Sequence, residues 1–235
     1  MKSAPPEPGA VHLWRGNLAA DASAIATFRQ HLSPDEDLRA ARLIDQEKRR
    51  RFIAGRGIVR EVLSSYLGIH PRSLRLDVTA HGKPFLSDAA TDLRFNTSHS
   101  GDLILTAVTT GREVGVDLEL VRQDLDFAPM ARSFFSASEQ RDLFTLPPSE
   151  QLDAFYRCWT RKEAYLKGTG SGFSQRCDLF DVTLLPGFPA ALVSHRTAPE
   201  EASTWRLADL SVPPGYCAAL AVEGEIAEVR SFTHS

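Results

Sequence analysis

Val114-Gly115-Val116-Asp117-Leu118-Glu119-Leu120 and Trp159-Thr160-Arg161-Lys162-Glu163-Ala164-Tyr165-Leu166-Lys167 are the stretches from which the fold is read. The first alternates as a strand does, so Asp117 and Glu119 point to one face. Two carboxylates side by side in an otherwise apolar strand mark either an exposed strand face or a hard-cation site. Like charges that close call for a counter-charge. The second stretch lies in a predicted helix, Glu150–Lys167, with apolar residues at Leu152, Phe155, Tyr156, Trp159, Ala164 and Leu166. Glu163 and Lys167 stand one turn apart on the face of Trp159. Alone they read as a surface ion pair beside a core tryptophan. With Asp117 and Glu119, Glu163 completes the donor set of a Mg²⁺ site. Mg²⁺ usually keeps substrate phosphates among its ligands, and Lys167 then stands one turn away to meet a phosphate.

Outward from these stretches, Thr109-Thr110-Gly111-Arg112 reads as a hairpin turn joining strands Leu103–Val108 and Val114–Leu120. Ala128–Phe135 reads as a helix. Ser136-Ala137-Ser138-Glu139 is a capping box opening a second one, Ser138–Leu146, which Pro147-Pro148 ends. Gly168–Gly172 stops the long helix, and short strands with Pro/Gly turns fill the remainder, among them Tyr216–Val222 and Glu228–Phe232. Upstream, Ser33, Pro34 and Glu36 make a strong helix start. Helical sequence follows to Leu67, with Gly68 as its stop and Gly55-Arg56-Gly57 as a break or a close contact. Leu74–Val78 is a strand and His81-Gly82-Lys83-Pro84 a turn. The expected class is α+β, with two comparable α/β halves, 11–111 and 112–235, behind a flexible leader, 1–10. The metal motifs fall in the second half.

Composition narrows the function. In 235 residues, hydrophobic positions are 43% and charged ones 24%, the usage of an ordinary globular chain. No apolar run approaches the roughly 18–20 residues of a membrane span, and no signal peptide opens the chain. A net charge of -3 argues against a nucleic-acid partner. Three cysteines without a C-x-x-C support neither a disulfide framework nor zinc. Gly168–Gly172 follows a helix and lacks the dinucleotide spacing. The expectation is a cytoplasmic protein.

Two further constellations carry candidate chemistry. Asn96-Thr97-Ser98-His99-Ser100-Gly101, between strands, is either a polar turn or a phosphate pocket of small hydroxyl residues, with Ser98 and His99 as contacts. Lys48-Arg49-Arg50-Arg51, with Arg56 and Arg60, is a helix face partly packed around Phe52, leaving one or two cations to meet a phosphate. Lys83 in its turn is another candidate.

Taken in order, Gly82–Pro84, Phe95–Gly101, Val114–Glu119, Phe134–Glu139 and Trp159–Lys167 resemble the Sfp-type 4′-phosphopantetheinyl transferases, from about Ser33 to Phe173. The resemblance implies an intramolecular pseudo-dimer with coenzyme A and Mg²⁺ between its halves. The phosphopantetheine arm passes to a serine of an acyl or peptidyl carrier protein, releasing adenosine 3′,5′-bisphosphate. It implies Asp117, Glu119 and Glu163 as metal ligands, Lys167 at the pyrophosphate, Ser98 and His99 at the phosphates, and Lys48 or Lys83 at the 3′-phosphate. Glu163 or Glu139 is the candidate general base. Chain length, by the same analogy, predicts a monomer. Arg132, Arg141 and Lys162 are candidates for meeting an acidic carrier.

Overall fold

The computed structural model describes residues 3–87, 91–172 and 176–234. Phe173, where the resemblance ends, and Met1 and Lys2 of the expected leader lie outside them. Ser3 N–H donates to the Ser65 carbonyl, and the Pro6 carbonyl accepts from Thr110 Oγ1, so this segment is tied to the body.

The first half opens with β1 (Ala10–Asn17), then α1 (Ala22–His31), α2 (Pro34–Arg42) and α3 (Gln46–Leu67). Ser33 and Glu36 exchange both hydrogen bonds of the capping box at α2, and Gly68 closes α3 at φ 68°. Gly55 and Gly57 do not break α3. Gly57 is a close contact, since a Cβ there would lie 2.4 Å from Phe28 Cβ. The short pair β2 (Leu76–Val78) and β3 (Pro84–Leu86) flanks the His81–Pro84 turn. The strands β4 (Leu93–Ser100) and β5 (Leu103–Thr110) follow as an antiparallel hairpin. Of the expected polar turn at Asn96–Gly101, all but Gly101 is therefore strand, and the turn itself is Gly101-Asp102.

The second half holds β6 (Val114–Leu120), α4 (Ala128–Phe134), α5 (Ala137–Thr145), α6 (Pro148–Thr169), β7 (Phe180–Val182), β8 (Leu192–His195), α7 (Glu201–Thr204), β9 (Trp205–Asp209), β10 (Tyr216–Glu223) and β11 (Glu228–Thr233). Pro148 begins α6 instead of ending α5, because the first helical turn has no use for its missing N–H.

Strands are ordered β11-β1-β5-β4 in one sheet and β6-β10-β9 in the other. The expected β5–β6 hairpin is absent. Both edges of β5 are already taken, by β1 and β4, so after Gly111 the chain crosses to found a second sheet. Strand β11 of the second half returns to pair in parallel with β1. Val11, Leu13, Leu105 and Ala107 of the first sheet pack on Val114, Val116, Leu118, Leu220 and Val222 of the second, a core between the two sheets. The outer face of the first sheet buries α1–α3, and that of the second buries α6 with its neighbours. The result is an α/β half laid sheet to sheet on a second α/β half. Among the described residues no helix is long and apolar enough to cross a membrane.

Candidate active site

The two sheets are joined at β4 and β6 by side chains where strand pairing would otherwise run. Asn96, Ser98 and Ser100 alternate along β4 and so share one face. Asn96 Oδ1 accepts from Val116 N–H at 3.0 Å, Ser98 Oγ from Leu118 N–H at 3.2 Å and Ser100 Oγ from Leu120 N–H at 3.0 Å. This ladder satisfies the amides of Val116, Leu118 and Leu120, every second one from Val116 onward. The two hydroxyls donate onward, Ser98 to Asp117 Oδ1 at 3.0 Å and Ser100 to Glu119 Oε2 at 3.1 Å. The sequence suggests a phosphate pocket of small hydroxyl residues here and singles out Ser98 and His99 but neither Asn96 nor Ser100. Their period of two was the available signal. His99, on the opposite face, remains exposed, and its pKa is lowered by crowding and by the cations of Lys167 and Arg51.

The acidic pair meets α6 across the closest approach of the two elements, Gly115 against Gly168. Lys167 Nζ reaches Asp117 Oδ1 at 2.5 Å and Ser98 Oγ at 2.9 Å. Asp117 is 2% exposed and its Oδ2 has no partner among the described residues. Glu163 is pushed up to about 7 by burial and then by Asp117 and Glu119, against the pull of Lys167. Glu119 is raised by burial and by Asp117, with opposing bonds from Ser100 and the Trp159 indole. Asp117, Glu119 and Glu163 therefore lie in one field, as the spacing predicts. Among the described residues no three such side chains are gathered tightly enough to ligate an ion as they stand. The donor set nonetheless fits a hard divalent cation: a buried carboxylate oxygen without a partner among the described residues, and two carboxyls raised first by burial and then by their acidic neighbours.

Beside this cluster, a cleft of about 220 Å³ is lined by His81, Lys83, Thr97, Lys167 and Gly170 among others, so three separate motifs of the sequence meet there. Lys83 Nζ bridges the halves, 2.5 Å from Glu113 Oε2 and 2.6 Å from the Gly168 carbonyl. Lys48 is exposed in the first turn of α3. One turn on, Arg51 donates to the Gly101 carbonyl and to Asp102 Oδ1, fixing the β4–β5 turn. Arg60 and Arg56 are not available cations. Arg60 is 2% exposed and binds Glu36 and the carbonyls of Pro71 and Leu74, and Arg56 also faces Glu36.

Glu139 stands apart from the cluster and is corrected as a catalytic candidate. It caps α5 through Ser136, accepts from Val182 N–H at 2.8 Å and pairs with Lys162 at 2.8 Å, both residues 2% exposed. Lys162 also donates to the carbonyls of Cys177 and Phe180, so it cannot meet a carrier. A buried ion pair needs its remaining bonding capacity filled, and this one has it filled by backbone. Arg132 and Arg141 stay on the surface, Arg132 over the Phe144 ring.

Comparison with known proteins bears on this geometry. Residues 113–221 match the model of the 4′-phosphopantetheinyl transferase superfamily, and residues 19–111 match that of the 4′-phosphopantetheinyl transferase N-terminal region. The chain is 43% identical over 217 residues to 4′-phosphopantetheinyl transferase HetI of a Nostoc species, covering 91% of this chain and 88% of that one. It is 30% identical over 197 residues to 4′-phosphopantetheinyl transferase Sfp of Bacillus subtilis, covering 82% and 84%.

Proposed function

The chain belongs to the 4′-phosphopantetheinyl transferase superfamily and transfers the phosphopantetheine arm to carrier proteins, and from that premise we propose that coenzyme A is the donor, bound in the cleft between Lys83 and Lys167. We infer further that Asp117, Glu119 and Glu163 hold Mg²⁺. The observation that carries this reading is the meeting of four separate sequence segments at one place: the His81–Pro84 turn, β4, β6 and α6.

Transfer of this kind asks the protein mainly for positioning and charge stabilisation. The serine Oγ of an acyl or peptidyl carrier attacks the phosphorus that bears the pantetheine arm. A new P–O bond forms, the P–O bond to the bridging pyrophosphate oxygen breaks, and adenosine 3′,5′-bisphosphate leaves with the electron pair. Glu163, the carboxylate that α6 brings to this cluster, accepts the serine proton. Lys167, held by Asp117 and Ser98, presents its ammonium to the pyrophosphate, and Ser98 and His99 stand on β4 beside it. Lys83 and Lys48 answer the 3′-phosphate. When bound, Mg²⁺ supplies charge neutralisation to the pyrophosphate. Both halves of one chain contribute to the site, which supports action as a monomer, in the cytoplasm where coenzyme A and carriers are available.

The test is mass spectrometry of a panel of apo carrier proteins incubated with coenzyme A in Mg²⁺ or in chelator. The expected result is the added arm in Mg²⁺ only, lost in Asp117→Ala. Transfer that persists in chelator, or in Asp117→Ala, refutes the metal assignment; no arm on any carrier refutes the donor reading.

A further inference from the structure

A second cavity, of about 680 Å³, opens at the edge of the first sheet opposite β4, between β1, β11 and the later turns of α3. It shares no lining residue with the cleft at Lys83 and Lys167. Its volume lies in the roughly 300–1,000 Å³ range of small-ligand sites.

Its walls are set by strand register. His12 pairs with Arg230 and Trp14 with Phe232 in the parallel β1–β11 ladder, so these four side chains share one face. The Trp14 and Phe232 rings stack at 4.8 Å and 20°. Tyr66 of α3 closes a hydrogen-bonded chain behind them. Trp14 Nε1 donates to Tyr66 Oη at 2.7 Å, and His12 Nδ1 lies 2.9 Å from the same oxygen. An indole N–H only donates, so the phenol oxygen accepts from it; with His12 Nδ1 the one acceptor within reach of the phenol proton among the described residues, that proton is satisfied only by donation to His12 Nδ1. The neutral imidazole then carries its proton on Nε2, in keeping with a pKa lowered by burial and by Arg230.

That Nε2 proton has no acceptor among the described residues, on a side chain only 6% exposed. An unanswered buried donor costs about 1–3 kcal/mol, so a native one calls for an explanation. Glu61, the carboxylate nearest in the cavity wall, does not supply the acceptor. Its two oxygens face His31 at 2.8 Å and His234 at 2.7 Å. Arg230 lines the same wall with its Nε on Glu228. The cavity thus offers flat aromatic surface together with donors, one of them cationic. Its complement is a flat apolar body that ends in acceptor oxygens.

We propose that this cavity is a second ligand site of the protein and takes a small aromatic carboxylate, its ring against Trp14 and Phe232 and its carboxylate toward Arg230 and His12. The site is independent of the transferase reading, which uses none of these residues.

The test is calorimetric titration of the full chain with 2-naphthoate, 2-naphthol and 2-naphthylmethylamine. The expected result is saturable one-site binding of 2-naphthoate. 2-Naphthol should bind about tenfold more weakly, the loss of one charge-assisted contact, and the amine still less. Arg230→Gln, a change at the surface, should weaken 2-naphthoate about tenfold, and Phe232→Leu should weaken all three probes. Saturating coenzyme A should leave the titration unchanged. No saturable binding, equal binding of the amine, an unaffected Arg230→Gln, or displacement by coenzyme A would each overturn the proposal.

Discussion

Gly115→Ala is expected to injure stability and transfer together, because it wedges apart the two elements that carry the site. A Cβ at Gly115 would stand 2.0 Å from the Ala164 carbonyl oxygen, 2.3 Å from Gly168 N and 2.8 Å from Gly168 Cα. All three obstacles are backbone of α6, so no side chain can rotate away. Restoring ordinary contact, 3.4 Å or more from the present 2.0 Å, requires α6 to retreat from β6 by about 1.4 Å, in an interior packed to crystal-like density. Overpacking of this kind costs about 1–3 kcal/mol, and the upper end applies where backbone is the obstacle. Gly168→Ala serves as comparison. Its Cβ meets chiefly the Trp205 ring, at 2.5 and 2.9 Å, a side chain with some freedom to move. The same retreat carries Glu163 and Lys167 from Asp117 and lengthens the 2.5 Å Lys167–Asp117 contact. A misplacement of about 1 Å costs on the order of 10²-fold in rate. Urea unfolding followed by far-UV circular dichroism measures the first effect, and mass spectrometry of the modified carrier the second. A variant within about 0.5 kcal/mol of the parent, with unaltered transfer, would refute the argument that this glycine contact sets the site.

The ladder on β4 predicts that Ser98→Ala costs about 1–3 kcal/mol by leaving the buried Leu118 amide unpaired, and Ser100→Ala less, because water can answer the exposed Leu120 amide. Equal stability of both variants to the parent in urea would mean that the ladder is not needed to hold β6. Lys162→Met should cost about 3–5 kcal/mol, since it strands the Glu139 carboxylate in the core. A midpoint of thermal unfolding unchanged from the parent would show the pair to be idle. Burial alone would raise the Asp181 carboxyl, but hydrogen bonds from Ser136, Ser194, Ser138 and Arg196 hold it well below the usual carboxylate range. Its folded pKa is depressed, so its contribution is complete above the unfolded value of about 4 and fades as pH falls through the folded one. The stability gap between the parent and Asp181→Asn should be constant from neutral pH down to about 5 and narrow below about 4. A gap that widens on acidification would reverse that sign.

Much of the fold and part of the site were legible along the chain because they rest on local physics. The capping boxes at Ser33 and Ser136 follow from the bonding reach of a hydroxyl and a carboxylate three residues apart. The shared face of Asp117 and Glu119 follows from the strand period, and that of Glu163 and Lys167 from the helical one. Glycine stops at Gly68 and Gly170 follow from the left-handed backbone those positions adopt. Family resemblance then drew these pieces toward one reaction. Tertiary structure alone decided which partners were spent on packing. Glu139 and Lys162 look like surface charges in sequence, and only their distance from water makes them a core pair. Thr109–Arg112 has hairpin chemistry, yet β5 had no free edge to offer β6. Asn96, Ser98 and Ser100 read as a turn because their hydroxyl and amide groups suit one. Opposite β6 they become a ladder, since the amides they satisfy belong to residues about twenty positions away, beyond the reach of any local pattern. A sequence fixes what a side chain can bond to within a few residues; the sheet-to-sheet packing selects which distant atom it meets.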